Sequence, residues 1–199
     1  DPLTGLGNRR RFCEKIARLI GERADDPAPF AISIIDLDGF KPINDLLGRR
    51  AGDEILAQVA TRLRAAMDMS ATVARIGPDE FAVLYPLVFS ENAVVERARM
   101  LIEVLSPPYD LGDRSARLSA SVGCSLFFSG DETTEILVDK AETALYQAKQ
   151  AGRGRVVVYT REMEEAAKRV TRIEQALRRA VCAGEVEPFF QPIVCLQSR

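Results

Sequence analysis

Phe30-Ala31-Ile32-Ser33-Ile34-Ile35 is a nearly unbroken apolar run, rich in β-branched residues and leading straight into the carboxylates Asp36 and Asp38. Strands covered on both faces read as continuous runs of this kind, whereas strands with one wet face alternate. The segment therefore predicts a strand buried between two layers. It delivers Asp36 at its C-terminal end, where α/β sheets commonly receive ligands. Such a strand needs covering helices, and the flanking sequence supplies them. Asn8 is placed to cap a helix in which Phe12, Ile16, Leu19 and Ile20 recur at helical spacing as far as Gly21. Phe40 to Leu47 reads as a short helix with Pro42 in its first turn and Gly48 as its stop. Ile55, Leu56, Val59, Ala60 and Leu63 mark a longer amphipathic helix beginning close to Asp53.

Two apolar stretches around Gly77-Pro78-Asp79-Glu80 predict a hairpin with carboxylates near its turn. Ser90 can cap a helix built on Val94, Ala98, Leu101, Ile102 and Leu105, halted by Pro107-Pro108. Leu118, Ala120, Val122, Cys124 and Leu126 alternate with small or polar residues, giving a strand by period two. A helix from Thr134 to Gln150 and a last strand from Val156 to Tyr159 follow. This mixed order implies an α/β (α+β) domain over residues 1–160. Beyond Thr160 a charged helix, Arg161 to Ala183, sets the boundary with residues 161–199.

Apolar residues make up 47% of the 199 and charged residues 28%, enough for a folded core. The net charge of −2 gives no electrostatic reason to expect a nucleic-acid partner. Histidine is absent, so the commonest general base and zinc ligand are excluded. Cys13, Cys124, Cys182 and Cys195 show no paired spacing and read as reduced, structural thiols. No apolar run approaches membrane-helix length, so no membrane contact is expected of this segment and a cytoplasmic location is. The abrupt opening at Asp1 suggests excision from a longer protein with an upstream part that cannot be read.

Chemistry must then run on carboxylates, cations and metals. Asp36 and Asp38 follow one strand, and Asp79 and Glu80 lie at a turn; two acidic turns fit solvated loops as well as a Mg²⁺ site. Lys149 and Arg153 stand four apart at a helix end, where they either complement the helix dipole or meet phosphates. Lys41 is a third cation, near the Asp36 turn.

The opening Asp1-Pro2-Leu3-Thr4-Gly5-Leu6-Gly7-Asn8-Arg9-Arg10 resembles the start of GGDEF domains of the diguanylate cyclase family. Asp36-Leu37-Asp38-Gly39-Phe40-Lys41, Asn44-Asp45, Gly48 and Gly52-Asp53 resemble a second block. Arg75-Ile76-Gly77-Pro78-Asp79-Glu80-Phe81 is similar to the signature that names the family, and Tyr146 to Arg153 to its closing motif. The resemblance implies a nucleotidyl-cyclase-like, mainly antiparallel sheet surrounded by helices. It also implies chemistry that joins two GTP into cyclic di-GMP across a homodimer. By position, Asp36, Asp79 and a carbonyl near Leu37 would hold Mg²⁺ or Mn²⁺, with Asp36, Asp79 and Glu80 as the catalytic carboxylates. Asn44 and Asp53 would hydrogen-bond the guanine, Lys41, Lys149 and Arg153 would meet the phosphates, and Phe40 would also belong to the substrate-binding residues. An aspartate can accept from the guanine N1 and N2 donors and an asparagine can complement the remaining edge; adenine lacks that donor pair.

Four departures qualify the match. Pro78 replaces a glycine and cannot take positive φ or donate an N–H. Arg49 and Gly154 stand where histidine and asparagine are usual. Asp68-Met69-Ser70-Ala71 occupies the place of the R-x-x-D product-inhibition motif, so no inhibitory site is expected. Finally, Ile173 to Ala180, Gly184-Glu185 and Phe189-Phe190-Gln191-Pro192-Ile193-Val194 resemble the beginning of an EAL phosphodiesterase domain, truncated here. The combined expectation is a GTP-binding GGDEF domain, weak or degenerate as a cyclase, that regulates an attached EAL domain; the alternative is an active cyclase.

Overall fold

The computed structural model describes residues 1–23, 28–88, 90–128, 132–185 and 189. They divide into two compact units, Asp1–Met163 and Glu164–Arg199. The first is built on a five-stranded sheet with β1 (Phe30–Asp38) at its centre. On one side β1 pairs antiparallel with β3 (Glu80–Tyr85), which pairs with β2 (Thr72–Arg75); on the other it pairs antiparallel with β6 (Ser119–Phe127). The edge strand β7 (Val156–Val158) joins β6 in parallel, so the sheet is mainly antiparallel as expected.

Period-two alternation sends the two faces of β1 into separate helix layers. Ala31, Ile35 and Leu37 pack with Ile55, Val59 and Leu63 of α3 (Arg49–Ala66) and Val94, Ala98 and Leu101 of α4 (Glu91–Leu105). Phe30, Ile32 and Ile34 pack with Phe12 and Ile16 of α1 (Arg9–Glu22) and Leu137, Ala141 and Leu145 of α5 (Thr134–Gln150). Each fully buried isoleucine contributes roughly 1.5–3 kcal/mol. The helix starts obey their caps: Asn8, Ser90 and Thr133 accept from Arg11, Ala93 and Ile136 backbone N–H groups. Helix α2 (Phe40–Leu47) lies between the left-handed Gly39 (φ 78°) and Gly48 (φ 85°).

The structure departs from expectation at four places. Helix α3 starts at Arg49, not near Asp53, because Gly48 turns the chain immediately into it. Strand β1 continues through Asp38. A two-stranded ribbon, β4 (Tyr109–Asp110) with β5 (Ser115–Ala116), was not anticipated. Strand β6 alternates in sequence yet is buried on both faces, because its small residues receive α5: Ser125 donates to the Leu137 carbonyl, and Gly123 admits the helix backbone.

Beyond β7 the charged helix α6 spans Arg161–Cys182, with Ile173, Leu177 and Val181 exposed. The EAL-like segment Phe190 to Val194 lies outside the described residues. Among the described residues no helix is long and apolar enough to cross a membrane, and Cys13, Cys124 and Cys182 are free thiols.

Candidate functional site

The end of β1 sets Asp36 directly opposite Glu80 of β3, while the Leu37 N–H donates to the Asp79 carbonyl at 3.3 Å. Like charges paired across strands repel, so this register is costly unless a cation answers it. One does: Lys149, near the end of α5, places Nζ 2.5 Å from the Asp36 carboxylate. Desolvation still dominates, and burial raises the Asp36 pKa despite Lys149, with Asp79 and Asp38 pushing the same way. Burial likewise raises Glu80, followed by the charges of Asp36 and Asp79.

The turn between β2 and β3 explains how Glu80 reaches this place. Ile76 and Gly77 N–H groups both donate to the Glu80 carbonyl, at 2.9 and 3.2 Å. A Cβ on Gly77 would fall 2.4 Å from Glu80 Oε2, so a side chain there would evict the carboxylate. No residue from Gly77 to Asp79 has positive φ. Pro78 thus sits in a turn that never needs the left-handed pair available to Gly-Gly. Its carbonyl is gripped instead by Arg75, which donates to it at 2.7 Å and pairs with Asp1 at 3.3 Å. Sequence reasoning assigned no role to Arg75 or Asp1; their presence in two separate motif blocks was the available signal.

The remaining site candidates sort into groups. Phe40 is buried beneath the α2–α3 corner, and Asn44 on α2 is half-buried. Gly52 of α3 makes that corner possible, since a Cβ there would lie 2.3 Å from Asn44 Oδ1 and 3.3 Å from Phe40 Cζ. Lys41 and Asp53 stand exposed on the same two helices. Arg153 is 65% exposed at its side chain and lies near Asp38, 4.0 Å away, rather than near Asp36.

Asp38, grouped with Asp36 by sequence, is engaged elsewhere. It accepts from Ser119 Oγ at 2.8 Å, from Ser121 Oγ at 2.9 Å and from the Gly154 N–H at 3.1 Å. Gly154 has φ 59°, a left-handed conformation that asparagine tolerates better than most residues, which explains how glycine replaces it. At the former inhibition motif, Asp68 closes a local turn by accepting from Ser70 and Ala71.

Among the described residues no three carboxylate or thiol side chains converge on one point as a ready-made cage. Asp36, Asp79 and Glu80 are nevertheless near enough to influence one another's charge, and a Mg²⁺ site of one or two carboxylates is ordinarily completed by phosphate oxygens and water. The raised Asp36 and Glu80 pKa values come first from burial, with the neighbouring carboxylates adding to it.

Residues 1–155 match the family model for "Diguanylate cyclase, GGDEF domain". The chain is 36% identical over 201 residues to the uncharacterized protein y4lL of Sinorhizobium fredii, covering 100% of this chain and 24% of that protein. It is 33% identical to the bifunctional diguanylate cyclase/cyclic di-GMP phosphodiesterase MucR of Pseudomonas aeruginosa, covering 98% of this chain and 28% of MucR. The chain thus spans about a quarter of the length of these relatives. Its fold is similar to the GGDEF domain of TpbB (YfiN) from Pseudomonas aeruginosa, with TM-score 0.80, 32% identity, and coverage of 84% of this chain and 98% of that one. The GGDEF domain of DgcB from Caulobacter crescentus, solved in complex with c-di-GMP, gives TM-score 0.73 at 26% identity, covering 79% of this chain and 94% of DgcB's.

Proposed function

Because this chain belongs to the GGDEF family of cyclic di-GMP signalling domains, we propose that it binds GTP at the C-terminal end of β1, with weak cyclase activity. In the parent protein it regulates an attached EAL phosphodiesterase. The observation that carries this reading is the opposed pair Asp36 and Glu80, with Asp79 beside them and Lys149 as their resident cation. Asn44 and Asp53 read the guanine, with Phe40 beneath them, and Lys41, Lys149 and Arg153 meet the phosphates. Asp36, Asp79 and a carbonyl near Leu37 hold Mg²⁺ or Mn²⁺, which supplies charge neutralisation at the phosphates and at the attacking 3′-oxygen. Each 3′-oxygen attacks the α-phosphorus of the other GTP and pyrophosphate leaves, so two domains must face each other as a homodimer.

The fully active cyclase is the second reading, and the turn favours it: Pro78 leaves both hydrogen bonds to Glu80 and the Leu37–Asp79 bond in place. Calorimetry with Mg²⁺ on the parent protein is expected to give clear preference for GTP over ATP, and equal affinities would refute the assignment. Cyclic di-GMP formation from GTP then separates the two readings, slow turnover supporting the first and robust turnover the second.

A further inference from the structure

We propose that Asp38 is a positioning residue for the phosphate end of the nucleotide, acting by gripping the Gly152–Gly154 loop so that Arg153 is held in place. The inference rests on the GTP-binding reading above. Three consecutive residues after α5 have left-handed backbone: Gly152 at φ 109°, Arg153 at 61° and Gly154 at 59°. Among the described residues Arg153 is the one non-glycine with positive φ, a conformation that disfavours a side chain carrying a Cβ. Strain of this kind persists only where surrounding structure over-determines it.

Here the restraint comes from two sides. On the helix side, Ala151 donates to the Gln147 carbonyl at 2.9 Å, Gly152 to Lys149 at 3.3 Å and Arg153 to Ala148 at 3.1 Å. On the sheet side, the Gly154 N–H is taken by Asp38 Oδ2 at 3.1 Å and shared with Ser121 Oγ at 3.2 Å. The Asp38 side chain is 5% exposed, and two serine hydroxyls from β6 hold it. An ionised carboxylate offers about four acceptor positions. Ser119, Ser121 and Gly154 occupy most of them and Arg153 faces the rest at 4.0 Å, so the hydrogen bonds of Asp38 run to β6 and this loop, although its charge is still felt at Asp36. Asp38 thus ties the β6 serines to the loop: Ser121 shares the Gly154 N–H with it, and Arg153 is the cation beside it.

The test is calorimetry of the intact protein with Mg²⁺·GTP and with GMP, which lacks the β- and γ-phosphates. Asp38→Ala is expected to lower GTP affinity at least tenfold while changing GMP affinity less than twofold. Asp38→Asn, which keeps one acceptor for the Gly154 N–H, is expected to recover part of the loss. In an Arg153→Ala background, Asp38→Ala is expected to cost nothing further. Equal losses for GTP and GMP, additive losses in the double variant, or undiminished GTP binding by a folded Asp38→Ala protein would each overturn the proposal. If Asp38→Ala does not fold, Ser121→Ala provides the same comparison. A wild-type protein that binds no GTP would overturn the site reading itself, and this inference with it.

Discussion

Gly123→Ala gives the most direct measure of how closely α5, the helix that carries Lys149, rests on the sheet. A Cβ built on Gly123 lies 2.2 Å from the Ala141 carbonyl oxygen, 2.2 Å from the Leu145 nitrogen and 2.7 Å from Leu145 Cα. Ordinary non-bonded contact begins near 3.5 Å, so the methyl group falls short by about 1.3 Å. The obstacles are helix backbone, which cannot rotate away as a side chain would. The whole of α5 must rise, lifting Leu137, Ala141 and Leu145 from the β1 face. Overpacking in cores costs about 1–3 kcal/mol, and a backbone obstacle places this case near 3 kcal/mol. For a chain of this size that corresponds to a fall of about 6–12 °C in melting temperature. Urea unfolding reads the same quantity as a lower midpoint at unchanged slope. Gly21→Ala is the matched control: Gly21 lies inside α1 with nothing within 4 Å of its added Cβ, so the same methyl group should stabilise by about 0.5–1 kcal/mol. A Gly123→Ala protein within about 0.5 kcal/mol of wild type would refute the close-packing argument.

Gly52→Ala is expected to displace the Asn44 side chain, weakening GTP binding about tenfold with a small change in melting temperature; undiminished affinity by calorimetry would remove Asn44 from the guanine site. Asp36 and Glu80 have raised folded-state pKa values, so the native state holds more protons than the unfolded chain between the ordinary carboxylate range and those raised values. Their contribution therefore makes the free domain less stable as pH rises through that window. Asp36→Asn should raise its melting temperature at neutral pH and flatten the pH profile, and a lower melting temperature would show that the Lys149 pair outweighs desolvation. Pro78→Gly tests the weak-cyclase reading: a rise in cyclic di-GMP formation would show that the turn mis-aims Asp79, and the substitution itself is expected to cost about 0.4–1 kcal/mol of stability through the freer unfolded chain. Unchanged turnover in an already active parent would establish the Pro78 turn as fully competent.

Much of the frame was legible because long elements announce themselves. The run from Phe30 marked the central strand, and α5 begins at Thr134 and ends at Gln150 as its pattern indicated. What stayed hidden depends on partners distant in sequence. Asp36 and Asp38 share a strand face by period two, yet one meets Lys149 and Glu80 while the other meets Ser119, Ser121 and Gly154. No local pattern distinguishes them. Small residues misled in the same way: Gly123 and Ser125 looked like a wet face of β6, when they are where a helix comes close. The β4–β5 ribbon, two residues per strand, is too short to carry any periodicity. The turn at Pro78 was expected to suffer, but the backbone between Gly77 and Asp79 uses no left-handed residue, so proline has little to disrupt.

The contact between Lys149 and Asp36 bears on the order in which ligands arrive. A lysine tethered to α5 acts as a counterion that is never diluted, and it stands ready whenever the carboxylates are otherwise bare. On the proposed reading, a free divalent ion must compete with this built-in rival and gains nothing for the displaced ammonium. A nucleotide that brings its own ion offers the lysine a triphosphate in exchange. The domain would then respond little to the free cation by itself and would answer to the complex of metal and nucleotide as one ligand, a kind of coincidence detection made from a single ion pair.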